Sequence, residues 1–445
     1  MSNVDTKRLL LRARGRVSAL SDTDRTALME REPMAEPGVA EGVASLMDDV
    51  RFRGDAALID MAARFDGVGE LTIEVPKKMW HDAVTGLDPE VRAALERAAD
   101  NIRCFHAAQR PDAVTVEVEP GVRITRSWVA LERVGVYAPG GTASYPSSVL
   151  MGAVPARAAG VDEVVVCSPP GRDGRPSPAV LAACEIAGAD RLYAVGGAGA
   201  IAALAYGTQT VTAVDAIVGP GNRWVTEAKR QVAGRVVIDS PAGPSEVLVL
   251  ADDGADPTLA AHEIMAQAEH DRDAACVVVA TDMDTAERIE AAVQRLLADA
   301  PRAEIVTEAL AACGAILVAD TVEEALRFTD DFAPEHLSIM TRDAAAHARA
   351  LRNSGTTFVG PSASVAFGDY MTGANHVLPT AGRSRSFSGL STHHFLRSFT
   401  IQEIDAEGAA SLSADVARLA EAEGLPAHAA AANARQSPRR GEGRV

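Results

Sequence analysis

Glu335 and His336 sit side by side in the run Asp331-Phe332-Ala333-Pro334-Glu335-His336-Leu337, directly ahead of an apolar stretch that reads as a strand. A carboxylate beside an imidazole is acid/base equipment. At the mouth of a strand neighbouring side chains point to opposite sides, so the two can serve different protons from one place. Polar surface residues preceding a strand give the same pattern. Gln267-Ala268-Glu269-His270 closes a predicted helix, where a spacing of three sets Gln267 and His270 on one face, as two legs of a metal site or as a solvated helix end. His262-Glu263 begins like the zinc motif H-E-x-x-H, but Ile264, Met265 and Ala266 follow and the second histidine is missing. Asp369 and His376 share one loop, and Glu423 and His428 share the tail; each pair offers zinc-ligand types.

Glycine-rich turns form the second group. Gly197-Ala198-Gly199-Ala200-Ile201-Ala202 fits the dinucleotide spacing G-x-G-x-x-G/A, with Asp215 where a ribose-binding acid would fall. Small residues also serve close strand-to-helix packing with no phosphate involved. Three further loops, Ala138 to Gly141, Gly219 to Asn222 and Pro241 to Ser245, carry polar neighbours at predicted strand ends, and in open α/β sheets ligands gather at the carboxyl ends of strands.

These residues need a scaffold. Apolar positions at three- and four-residue spacing predict helices over 39–65 and 88–109, and 113–124 alternates like an edge hairpin. From Arg133, short β-branched runs alternate with alanine-rich helices up to about Ser240, and the pattern repeats from Ser245 to Gly360. Continuous apolar strands between helices imply parallel sheets covered on both faces. The expected fold class is α/β: two Rossmann-like parallel-sheet domains in tandem, with a helical N-terminal segment and a helical C-terminal tail. The boundaries read as an N-terminal helical arm over 1–25, a first α/β domain over 26–131 plus 239–375 with the acid/base pair and the candidate ligand types, and a second α/β domain over 132–238 that carries the dinucleotide spacing. A loop and helical tail follow over 376–435, then a disordered end over 436–445. The glycine-, serine- and proline-rich stretch 361–398 is too long for an idle connection.

Composition bounds the function. With 445 residues, 47% of them hydrophobic, the chain can bury a sizeable core. A net charge of −18 disfavours nucleic acid, whose phosphates need clustered basic residues. No apolar run is long enough to span a membrane, and the basic start lacks the apolar core of a signal peptide, so a cytoplasmic protein is expected. Five scattered cysteines in mostly apolar contexts read as reduced, buried thiols.

The segments VGVYAPGGTASYPSSVLMGAVPARAAGV, VGPGNRWVTEAKRQV, IDSPAGPSEVLVLAD, AQAEH, APEHL and GDYMTGANHVLPT, in this order, resemble the histidinol dehydrogenase family from about residue 30 to about residue 432. That resemblance implies zinc-requiring oxidation of L-histidinol through L-histidinal to L-histidine with two NAD, the last steps of histidine biosynthesis. It implies one zinc per subunit on Gln267, His270, Asp369 and His428, with His336 the base for the alcohol and Glu335 the base that activates water on the aldehyde. Substrate contacts would come from Ser245, Gln267, His270, His336, Asp369, His376, Glu423 and His428, and NAD contacts from Tyr137 and Asn222. The family's further cofactor contact is a glutamine, and this chain has Gly199 there. A homodimer is implied in which Glu423 and His428 complete the partner's site. Gly199 and the basic run Arg383-Ser384-Arg385-Ser386-Phe387 motivate an alternative, a related enzyme acting on another primary alcohol such as a sulfonated diol. A scaffold that lost catalysis fits poorly, since all four ligands and both bases are present.

Overall fold

The computed structural model describes residues 9–31, 38–140, 144–240 and 243–436. Gly141, Pro241 and Ala242 of the glycine loops, the first eight positions of the expected arm, and the expected disordered end beyond Gln436 lie outside the described residues. The chain forms two compact units, residues 1–109 with 131–395, and 110–130 with 396–445.

The first unit opens with strand β1 (Ala13–Arg16) and helices α1 (Asp22–Met29), α2 (Val39–Arg53), α3 (Asp55–Met61), α4 (Lys77–Gly86) and α5 (Pro89–Ala107). Two expectations change here. The helix over 39–65 breaks at Gly54, whose φ of 59° no regular helix tolerates, and it ends in a π turn, Ala62–Asp66. Within the expected helical arm, residues 13–16 instead form a strand paired with Ala315–Val318.

Strands β2 (Val114–Glu119) and β3 (Val122–Ala130) belong to the second unit. The first unit resumes with β4 (Arg133–Tyr137), α6 (Pro146–Ala159), β5 (Glu163–Cys167), α7 (Pro178–Ala187), β6 (Arg191–Tyr193), α8 (Gly197–Tyr206), β7 (Ala216–Val218), α9 (Arg223–Val232) and β8 (Val237–Ile238). These strands make a five-stranded parallel sheet in the order β6-β5-β4-β7-β8. Helix α2 packs with α8 and α9 through Val43, Met47, Ile201, Leu204 and Val225. Helix α6 comes so close to the sheet that a Cβ on Gly152 would stand 2.4 Å from Val136 Cγ1, so only glycine fits there.

A second α/β run follows: β9 (Glu246–Ala251), α10 (Pro257–Ala268), β10 (Ala275–Ala280), α11 (Met283–Ala298), α12 (Ala303–Cys313), β11 (Gly314–Val318), α13 (Val322–Phe332), β12 (His336–Met340), α14 (Ala344–Ala350), β13 (Thr356–Val359) and α15 (Val365–Tyr370). Its six parallel strands lie in the order β1-β11-β10-β9-β12-β13. Side chains alternate along β9 as a strand requires. Val247, Val249 and Ala251 join the core under α10, α11 and α12, while Leu248 and Leu250 face Phe328 and Phe332 of α13. Each large side chain so buried contributes about 1.5–3 kcal/mol.

In the second unit, β14 (Leu396–Ile404), β3 and β2 form an antiparallel sheet, and α16 (Ala406–Ala422) and α17 (Pro426–Asn433) form a helical pair. Strand β14 occupies ground expected to be loop and helix; its alternation of Phe399 and Ile401 with polar residues is the signal that marks it. The unit leaves Val114, Val116, Val118, Ile401, Ile404 and Leu419 exposed.

No described helix is long and apolar enough to cross a membrane. All five cysteines are free, but Cys104 is exposed and Cys313 only part-buried, against the expectation of buried thiols; burial pushes the thiols of Cys167, Cys184 and Cys276 up, out of reach of thiolate chemistry.

Candidate active site

Glu335 and His336 are almost wholly buried, 5% and 4% exposed, where β12 begins beside β9. They do not part to opposite sides. Glu335 precedes the strand, and its Oε2 lies 3.5 Å from His336 Nδ1. The backbone amide of Glu246 donates to Glu335 Oε2 at 2.7 Å, and the Glu335 amide answers at 3.4 Å to Glu246 Oε2. His336 Nδ1 sits 2.9 Å from the Glu246 carbonyl. A carbonyl only accepts, so Nδ1 keeps its proton in either charge state and Nε2 is the atom that gains or loses the second one. That Nε2 is buried without a hydrogen-bond partner, 3.5 Å from Asp369 Oδ1.

Three titrating groups therefore face one another. Burial raises the Glu335 carboxyl, and the neighbouring His336 charge partly opposes it. Burial alone would lower His336, yet the charges of Glu335 and Asp369 outweigh it and hold the imidazole well above its usual range. Asp369 is also pushed upward by burial, but His336, His376 and His270 together bring it below the ordinary carboxylate range. Such carboxylates and imidazoles exchange protons as a group.

Asp369 stands on α15, Gln267 on α10, His270 in the turn that follows α10, and His428 on α17 of the second unit. A helix that follows a strand runs back along it, so the C-terminal ends of α10 and α15 lie at the amino ends of the strands, level with His336. Buried Glu263 of α10 accepts the Val365 amide at 2.9 Å, which ties the two helices together one turn before Gln267 and one turn before Asp369. Gln267 is buried, 3% exposed. Helix α10 ends at Ala268, and His270 lies exposed in the following turn, its amide donating to the Gln267 carbonyl, which keeps the two residues one turn apart. His376 Nδ1 bonds the Asp369 carbonyl at 3.0 Å. Among the described residues no three His, Cys, Asp or Glu side chains are grouped to hold a metal ion. Glu423, at the end of α16, and His428, on α17, are exposed residues of the second unit.

The glycine loops gather at the carboxyl ends of the five-stranded sheet. Tyr137 ends β4, buried, and its hydroxyl accepts the Gly197 amide at 3.1 Å; burial pushes this phenol up to about 12. The first amide of α8, which a dinucleotide fingerprint would aim at phosphate, is thereby occupied. Gly199 is packed under α3: a Cβ there would stand 2.9 Å from Met61 Sδ. Asp215 is no ribose ligand, because it precedes β7 at the opposite end of the sheet and accepts the Arg133 amide. Asn222 caps α9, its Oδ1 receiving the amides of Trp224 and Val225. Its loop is clamped at Gly219, whose amide donates to Asp239 and whose carbonyl accepts from Lys229 Nζ, a buried ion pair. With φ of 116°, and room for a Cβ only 2.1 Å from the Tyr137 carbonyl, position 219 admits glycine alone. Ser245, half-buried, closes the connection from β8 to β9.

Sequence reasoning missed Arg31, Glu246, Glu263, Lys229 and Asp239, all buried polar groups. Glu246 and Asp239 had a readable signal, a carboxylate bordering an apolar run; Arg31 had none. The basic run near 385 is already engaged: Arg385 bonds the Asp331 carbonyl and Ser384 the Pro334 carbonyl.

A family model described as histidinol dehydrogenase matches residues 29–436. Histidinol dehydrogenases of Methanosarcina mazei and Natronomonas pharaonis are 46% and 48% identical, across 94% and 93% of this chain and 97% of each relative. The crystal structure of histidinol dehydrogenase from Elizabethkingia anophelis is similar with a TM-score of 0.91 and 32% identity, over 96% of this chain and 98% of that one. None of these relatives is named for a sulfonated diol.

Proposed function

The chain belongs to the histidinol dehydrogenase family, and from that premise we propose that Glu335 and His336 carry the proton transfers of its oxidation of L-histidinol to L-histidine. The observation that supports this most is His336 Nε2, a buried nitrogen with no hydrogen-bond partner on a ring whose other nitrogen is committed to the Glu246 carbonyl. In the first oxidation the alcohol gives its proton to Nε2 as hydride passes from its carbon to NAD, leaving L-histidinal. In the second, Glu335 takes a proton from water as its oxygen adds to the aldehyde, and the hydrate gives hydride to a second NAD, leaving the carboxyl group. A carboxyl raised by burial suits that second task.

Gln267, His270 and Asp369, with His428 from the second unit of a partner copy, would hold one zinc ion per subunit. The fit rests on Asp369, a carboxylate kept ionised among histidines, and on an oxygen and nitrogen donor set that matches zinc. When bound, the ion supplies a template for the amine and imidazole nitrogens of the substrate and positive charge beside Asp369. Ser245, His376 and the partner's Glu423 would complete the substrate contacts. Tyr137 and Asn222 would meet NAD, and Gly199 offers no side chain to it. The exposed apolar residues of the second unit support a homodimer that covers them. We place the enzyme in the cytoplasm, with neither membrane nor nucleic acid as partner.

Zinc-loaded protein given L-histidinol and excess NAD should form two NADH per histidinol; one NADH with aldehyde accumulating would refute the four-electron reading. His336→Ala and His428→Ala, each inactive alone, should regain activity when co-refolded as mixed dimers, and no recovery would rule out the shared site.

A further inference from the structure

Arg31 and Glu246, the second of them inside the segment IDSPAGPSEVLVLAD, form a buried ion pair. Their side chains are 4% and 2% exposed. The guanidinium meets the carboxylate as a fork, Nε to Oε1 and Nη2 to Oε2, both at 2.9 Å. Removing charge from water in this way is costly, and a pair of this kind is weak evidence of a contribution to stability. Its surroundings give it another use.

Every hydrogen bond given above for the catalytic pair runs to residue 246. Its amide holds Glu335 Oε2, its carboxylate receives the Glu335 amide, and its carbonyl fixes His336 Nδ1. Arg31 reaches the same pair from behind: Nη2 donates to the Phe332 carbonyl at 2.9 Å, and the guanidinium lies 3.6 Å above the Phe332 ring. From Phe332 the chain passes through Ala333, in the left-handed region at φ of 49°, and Pro334 to Glu335. Arg31 also ties down the end of α1 through the Leu28 carbonyl, and Glu246 Oε1 accepts the Ala381 amide.

We infer that Arg31 and Glu246 are positioning residues that hold Glu335 and His336 in register with each other. The inference rests on the proposed roles of that pair. One residue fixes both acid/base groups, so disturbing it slows both oxidations by a common factor, whereas His336→Ala and Glu335→Ala each slow a different one.

The test measures both half-reactions, with L-histidinol and with supplied L-histidinal, in Arg31→Lys and in the double variant Arg31→Met/Glu246→Gln. The lysine keeps the buried charge but loses the fork; the double variant removes both charges and leaves no unpaired ion. Both should fold, with the double variant melting near the wild-type temperature, while kcat falls about a hundredfold in each half-reaction and KM values stay within about twofold. Wild-type kcat in the double variant would overturn the inference, as would loss in one half-reaction only. Glu335→Ala and His336→Ala, measured alongside, test the underlying reading: if both turn over normally, that reading fails, whatever Arg31 does.

Discussion

The two parallel sheets have the same winding. Numbered from β4 in one and from β9 in the other, each runs 3-2-1-4-5, with β1 added at the edge of the six-stranded sheet; the reversal falls between β4 and β7 in one and between β9 and β12 in the other. Both put candidate functional residues at that reversal, but at opposite ends. The five-stranded sheet follows the general rule and offers Tyr137 and the Gly219 loop at its carboxyl ends. The six-stranded sheet places Glu335, His336 and Glu246 at its amino ends. At the corresponding amino ends of the five-stranded sheet stand Arg133, Glu163 and Arg191, a partly exposed ion network with no free acid/base group. Winding thus marks the crevice, and burial decides what it does. Where the ends are covered, ionisable groups are pushed away from their ordinary values and become useful.

The largest effects should come from the buried end. His336→Ala should lower kcat with L-histidinol by about 10²–10⁴, and Glu335→Ala should do the same with supplied L-histidinal. KM for NAD should stay near wild type, and a large change in it would erase the division between the two ends. Next comes the clamp under the Gly219 loop, the proposed NAD contact. Lys229→Met leaves the Asp239 charge buried and uncompensated, so urea titration should show a loss of about 3–5 kcal/mol. Asn222→Ala removes a helix cap, with about 1 kcal/mol lost and KM for NAD raised while kcat holds; a fall in kcat alone would mean that the loop takes part in chemistry. The smallest effect belongs to the exposed network. Hydrogen bonding from Arg133, opposed by burial and aided by Arg191, lowers the Glu163 carboxyl. A carboxyl lowered in the folded state stabilises above its unfolded value near ~4.3, and that stability is lost as pH falls through the folded value. Glu163→Gln should therefore cost at most about 1 kcal/mol at neutral pH and nothing below both values, read as the difference between denaturation midpoints at the two acidities.

How legible was this in the sequence? The sheets were, because Glu246–Ala251 and Ala275–Ala280 are unbroken apolar runs, the mark of strands covered on both sides. Short strands at the margins were not. Ala13–Arg16 carries two arginines and pairs with β11 at the edge of its sheet, and Leu396–Ile404 hides its alternation behind a glycine- and serine-rich approach. Glu335-His336 was readable as a pair of groups but not as a geometry, since one residue decides whether neighbours part or share a side, and β12 starts at His336. The Gly197 fingerprint failed for a reason no spacing carries: a tyrosine sixty positions earlier reaches its first amide. Arg31 was unreadable in principle, because its partners are 215 and 301 positions away.

That separation also sets an order in time. Residues 13–16 and Arg31 leave the ribosome early, but β11, Phe332 and Glu335 must be made before the edge strand can pair or the arginine can close its fork. Contacts this distant along the chain are slow to form. The apolar face of the early strand and a guanidinium destined for the interior must wait in solvent through most of synthesis, a span in which binding by a chaperone competes with aggregation. The Arg31 fork and the proposed acid/base pair therefore cannot assemble until synthesis has passed residue 335.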